Sequence, residues 1–128
     1  MLRRPAKRPG RRLRPDPIDR PAVARRAVEL FNGGAFWEAH EALETIWRSV
    51  PDEGEALAIQ GLIQAAAALW HRRRGNPHGV GVVGGSALDK LRGRQHPAVE
   101  FDTEHLCRGL AEALEQGGPA PRLRLRNA

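Results

Sequence analysis

The 128-residue chain has one cysteine, Cys107, so it cannot close an internal disulfide, and that usage fits a reducing compartment. Long apolar runs are missing too. The longest uncharged stretch, Ala56 to Trp70, has 15 residues, short of the ~20 that a bilayer-spanning helix needs. The opening MLRRPAKRPGRRLRPDP has no apolar segment of a secretory signal. It also lacks the serines of an organelle transit peptide, and its prolines break any amphipathic helix. No segment alternates convincingly at period two, so nothing asks for a half-buried sheet. These absences point to a cytoplasmic protein built from helices, without a membrane segment.

With 41% hydrophobic residues the chain is globular, and its length suits a single modest core. Six of the ten prolines fall at positions 5, 9, 15, 17, 119 and 121, near the ends. Charge is as uneven. Residues 1–20 hold eight Lys or Arg against two Asp, which is the whole formal surplus of +6. Residues 21–128 balance at thirteen of each sign, and without Arg122, Arg124 and Arg126 the remainder is acidic. The basic character therefore belongs to the two ends and not to the domain. The expected organisation is a disordered Arg/Pro-rich arm over 1–18, a helical bundle over 19–117 and a flexible basic tail over 118–128. The arm could touch nucleic acid non-specifically, but it has no interleaved aromatics with which to read a sequence.

Start and stop signals mark five helices with short connections, an all-α bundle. The first runs from about Pro21 to Phe31 with Asp19 as its cap, and Asn32-Gly33-Gly34 ends it. The second is AFWEAHEALETIW, Ala35 to Trp47. Asp52 caps the third, with Glu55 completing an Asp-x-x-Glu capping box. That helix runs to Arg72-Arg73-Arg74, cations suited to its negative end, and Gly75 turns the chain. Asn76-Pro77 caps and starts the fourth, which reaches about Leu91. Asp102 or Thr103 caps the fifth, and Gln116-Gly117-Gly118-Pro119 stops it. In the third helix Ile59, Leu62, Ile63, Ala66, Leu69 and Trp70 span more than a third of the circumference. Gln60, Gln64, Ala67 and His71 form a second stripe within about 60°. With no charge between Ala56 and Trp70, this helix should be central, its glutamines and histidine among buried polar groups in need of partners.

The second helix mixes ionisable groups with its largest apolar side chains. Phe36, Ala39, Leu43, Ile46 and Trp47 make its apolar face. His40 lies about 20° from Trp47, and Glu44 about 40° beyond, between His40 and Trp37. Glu38, Glu41 and Arg48 point progressively outward. At i and i+4, His40 and Glu44 can bond each other, with Gln60, Gln64 and His71 as partners if the second helix packs on the third. Three readings stay open. The network fixes helix register and nothing more. Or it lines a small-molecule pocket for acid–base or hydrolytic work by His40 with Glu41 or Glu44, bordered by Glu38, Trp47, Arg48, Gln60, Gln64 and His71. Or His40, Glu44 and His71 weakly hold one metal ion, although HEALE lacks the second histidine of H-E-x-x-H. No cofactor is implied.

GVGVVG, Gly79 to Gly84, matches G-x-G-x-x-G literally, but the dinucleotide fingerprint needs a preceding strand and a turn. Here a helix precedes it, and the glycines are read as room for close helix approach. Cys107 is read as a small buried hydrophobe despite His105 nearby, and His78 and His96 as surface residues beside turns.

FNGGAFWEAHEALETIWR, QGLIQAAAALWHRRRGNPHG, ALDKL and FDTEHL together resemble the domain-of-unknown-function 309 family, small all-helical prokaryotic proteins. The resemblance covers about Ala22 to Leu114, in order and with compatible spacing. It implies a bundle in which the second and third helices face each other. It also implies a polar signature at Glu38, His40, Glu41, Glu44, Trp47, Arg48, Gln64, His71 and Asn76. It implies no activity. The glycine-rich fourth helix departs from the family, which tends to carry alanine and leucine there, and the arginine-rich arm lies outside the domain.

Overall fold

Helix starts follow from short polar side chains placed one residue ahead of them. In the computed structural model, which describes residues 17–126, five helices run in order: α1 Arg20–Asn32, α2 Phe36–Trp47, α3 Glu53–Arg73, α4 Pro77–Leu91 and α5 Thr103–Gln116. Asp19 accepts from the Ala22 N–H at 3.2 Å, and Asp52 from Glu55 at 2.8 Å. Asn76 accepts from Gly79 at 3.1 Å, and Asp102 from His105 at 2.9 Å. Each satisfies a donor that the first turn leaves without an intrahelical acceptor. The exception is α2, whose cap position is Ala35, with no side chain to offer.

Helix α3, uncharged from Ala56 to Trp70, is the axis of the bundle, packing against α2, α4 and α5, while α1 packs on α2. Ile59, Leu62, Ile63, the alanines 65–68 and Leu69 are all buried. Two glycines let α4 lie close. A Cβ on Gly61 would sit 2.9 Å from Leu91 Cγ, and one on Gly79 would sit 2.7 Å from the His71 ring. Gly81 and Gly85 face open space, so only part of the glycine-rich run serves contact.

The C-terminal segment, expected as a flexible tail from 118, is docked as far as Arg126. Asn32 of α1 clamps Leu123 through both backbone groups: its Nδ2 donates to the Leu123 carbonyl at 2.9 Å, and its Oδ1 accepts the Leu123 N–H at 2.8 Å. Leu123 is 1% exposed, and Leu125 pairs with Phe101 in an antiparallel bridge. The physical reason is the alternation of Arg122, Leu123, Arg124 and Leu125, which turns the leucines inward and the arginines to water. The expected disordered arm lies, up to Asp16, outside the described residues; Ile18 already packs on the core.

Two arginines tie the periphery. Arg20 pairs with buried Glu55 at 2.7 Å and with Glu100 at 2.9 Å, and the Glu100 hydrogen bond is the main cause raising its pKa. Glu55 thus turns to Arg20, and the capping box is met only in its Asp52 half. Arg72 donates to the Ala113 and Gly118 carbonyls at 3.2 and 2.8 Å. It serves the negative end of α5, where its own helix end was expected.

Candidate functional site

Positions 37, 40 and 44 recur at helical spacing and so share one strip of α2. His40, 5% exposed, has Nε2 3.8 Å from Glu44 Oε2, ion-pair contact rather than hydrogen-bond distance. Its ring stacks on Trp37, centroids 4.6 Å apart and 23° from parallel. Trp37 meets Trp70 of α3 at 4.8 Å, tilted 44°, and Trp70 meets His71 edge-on at 5.1 Å. Four rings therefore run in succession, His40, Trp37, Trp70, His71, across the α2–α3 contact.

Of the four polar residues expected to converge, Gln64 and His71 bond toward α4 and its cap. Gln64 Oε1 accepts from Ser86 at 2.9 Å, and Ser86 in turn accepts from Lys90 at 2.8 Å. His71 Nδ1 faces Asn76 Nδ2 at 3.1 Å. The Gly79 N–H occupies Asn76 Oδ1, so the amide nitrogen is the donor and His71 Nδ1 accepts. The neutral His71 ring then carries its proton on Nε2. Gln64 and His71 lie on one stripe of α3, and both bond to α4 or its Asn76 cap. Among the described residues no group of three or more His, Cys, Asp and Glu is placed to hold a metal ion, so the His40/Glu44/His71 ligand set is not assembled.

The other candidates scatter. Trp47 is buried at the far end of α2, Arg48 is half-buried at its C-cap, Gln60 is half-buried on α3, and Glu41 is exposed. Glu38 is exposed too, but it borders a cleft. That cleft, about 580 Å³, runs between Gly34, Ala35, Phe36, Trp37 and Glu38 at the start of α2 and Trp70, Arg73 and Arg74 at the end of α3. Trp37 stands 40% exposed at its mouth.

Both arginines rest on aromatic faces: the Arg73 guanidinium 4.9 Å from the Phe36 ring centre, and that of Arg74 4.9 Å from Trp70. A guanidinium stacked this way is oriented while its in-plane N–H groups stay available to an anion. Arg73 also donates to the Gly34 carbonyl. Gly34 has φ +84°, a conformation that calls for glycine, and a Cβ there would push aside the Arg73 guanidinium, whose Nη2 would lie 2.8 Å away. Sequence reasoning read Gly33-Gly34 and Arg72–Arg74 only as helix stops, and Trp70 as core. The available signal was their pairing with Phe36-Trp37 and Trp70, aromatic residues directly beside the turn glycines and the cations.

Elsewhere, burial pushes the Cys107 thiol up despite Arg92 and Arg108, so it has no thiolate character to make it a nucleophile. A second groove, about 480 Å³ beside Pro21, Val99 and Leu125, is lined by Arg25 and by Arg126, which donates to the Pro97 and Val99 carbonyls.

Residues 24–82 match a domain of unknown function, DUF309. The matched stretch is 59 of the 128 residues. It runs from α1 into α4 and contains every residue of the cleft. The chain is also similar to an "Uncharacterized protein" of Aquifex aeolicus (strain VF5), 38% identical over 68 residues, 52% of this chain and 20% of that protein. It is similar to "Uncharacterized protein YpuF" of Bacillus subtilis (strain 168), 34% identical over 73 residues, 57% of this chain and 41% of that one. The chain thus covers well under two thirds of either relative's length. No solved structure matches.

Proposed function

We propose that the DUF309 segment is a binding module whose ligand enters the cleft of Trp37, Trp70, Arg73 and Arg74, with the His40–Glu44 pair holding α2 in register beneath it. One observation carries this reading: Trp37 leaves 40% of its surface in water while touching a second indole at the rim of a cleft. An exposed indole flanked by polar groups is the kind of surface that marks a contact site.

A second reading has one observation in its favour. His40 touches the exposed ring directly, so a substrate that displaced Trp37 would reach it, and acid–base work by His40 with Glu41 or Glu44 would follow. The two readings separate in a thermal-shift screen of small molecules on the wild type and on Trp37→Ala. Binding in the cleft predicts hits whose stabilisation, about 2.7 kcal/mol at a hundredfold excess over Kd, disappears in Trp37→Ala. Hits that survive Trp37→Ala contradict it. Turnover of any hit that Trp37→Ala accelerates and His40→Gln abolishes selects the catalytic reading.

A cytoplasmic setting is part of this proposal, and the single cysteine fits its reducing conditions. Among the described residues no helix is long and apolar enough to cross a membrane.

A further inference from the structure

The chemistry of the cleft narrows what would bind there. Arg73 and Arg74 stand on separate aromatic shelves, each guanidinium with in-plane donors left over. Three of the last four carbonyls of α3, which would repel an anion, are occupied: those of Trp70, Arg72 and His71 accept from the N–H groups of Arg74, Gly75 and Asn76. From the opposite wall α2 presents its positive end with no side-chain cap in place. Two cations therefore face one carboxylate, Glu38, at the edge of a cleft of about 580 Å³, a volume that suits a small organic molecule. The exposed indole of Trp37 offers a surface for a planar group, and Glu38 an acceptor for a hydroxyl or amino group.

Resting on the binding role proposed above, we infer that this cleft is an oxyanion receptor for a phosphorylated small molecule bearing a planar ring, of the nucleoside monophosphate class. The phosphate sits between Arg73 and Arg74 in charge-assisted hydrogen bonds, and the ring lies against Trp37. The arginines supply affinity and the indole supplies preference for a ring.

The test is a titration of the full chain with AMP, adenosine, ribose 5-phosphate and inorganic phosphate, followed by calorimetry and tryptophan emission. AMP is expected to bind saturably and to change the emission. Adenosine and ribose 5-phosphate should each bind about tenfold more weakly or worse, the scale of one lost charge-assisted contact. Arg74→Gln should weaken AMP by about tenfold while leaving adenosine unchanged, and Trp37→Leu should weaken AMP by about tenfold while leaving ribose 5-phosphate unchanged. Both arginines are exposed, so an unchanged melting curve shows that their variants fold. AMP binding no tighter than adenosine overturns the oxyanion assignment but leaves a ring-binding cleft. AMP binding that survives the Arg73→Gln/Arg74→Gln double variant comes from other arginines and overturns it as well. If none of the four binds, the inference falls, while the thermal-shift screen with Trp37→Ala judges the binding role separately.

Discussion

Trp37 lies over His40 with ring centres 4.6 Å apart and planes 23° from parallel, one helical turn apart on α2. The most exposed aromatic ring of the cleft is therefore also the cover of the most buried ionisable ring. The exposed indole and the buried imidazole are two ends of one arrangement. Whatever moves Trp37 also uncovers His40.

Trp37→Ala should accordingly raise the reactivity of His40 toward an imidazole-modifying reagent such as diethyl pyrocarbonate by severalfold, read by mass spectrometry. The stability cost should stay near 1–2 kcal/mol, because much of the indole is already in water. A His40 that remains as protected as before would mean that something other than Trp37 covers it.

His40→Ala and Glu44→Gln should each lower the unfolding free energy by about 1–3 kcal/mol in denaturant titrations, since each takes a polar partner from a nearly buried pair. A gain in stability from either change would point the other way, to a pair strained for function.

Much of the bundle was legible because its signals are local. Asp19, Asp52, Asn76 and Asp102 name their own helices, and the uncharged face of Ala56–Trp70 identifies the central one. The site was less legible. Gln64 and His71 do form a stripe, but helical spacing places residues on a face without saying which neighbour bonds to it, and the bonds seen there go to Ser86 of α4 and its Asn76 cap. The cleft depends on a turn folding back on a helix end, Gly34 against Arg73, a contact that no periodicity encodes. The docking of Leu123 was obscured by the arginines on either side, which make a two-sided docked segment look like a charged tail.

Leu123→Ala should cost about 2–4 kcal/mol by leaving a cavity in the core. Asn32→Ala should cost about 1–3 kcal/mol by leaving the Leu123 backbone without its two partners. Denaturant midpoints with unchanged slopes would check both. Losses within about 0.5 kcal/mol would show the segment to be loosely held.

Asp102 supplies a pH signature. The backbone N–H of His105 is the main cause holding its carboxyl below the usual value, burial works against it, and Arg124 adds to it at 3.0 Å. The unfolded chain then takes up the proton first as pH falls. The contribution is thus fully present above the ordinary aspartate value of about 3.9 and is lost as pH drops through the lower folded value. Melting temperatures of wild type and Asp102→Asn should differ above about pH 5 and converge toward pH 2. A gap that widens on acidification would contradict this assignment.

The most direct test of the cleft as the binding site is to follow the indole N–H resonances of the three tryptophans while AMP is added. Trp37 and Trp70 line the cleft, and Trp47 is an internal control, ten residues and about 15 Å along α2 from Trp37. The account predicts saturable shifts of the Trp37 and Trp70 signals, with Trp47 unmoved, and their loss in the Arg73→Gln/Arg74→Gln variant. Shifts that spare Trp37 and Trp70, or that appear equally at Trp47, would contradict it.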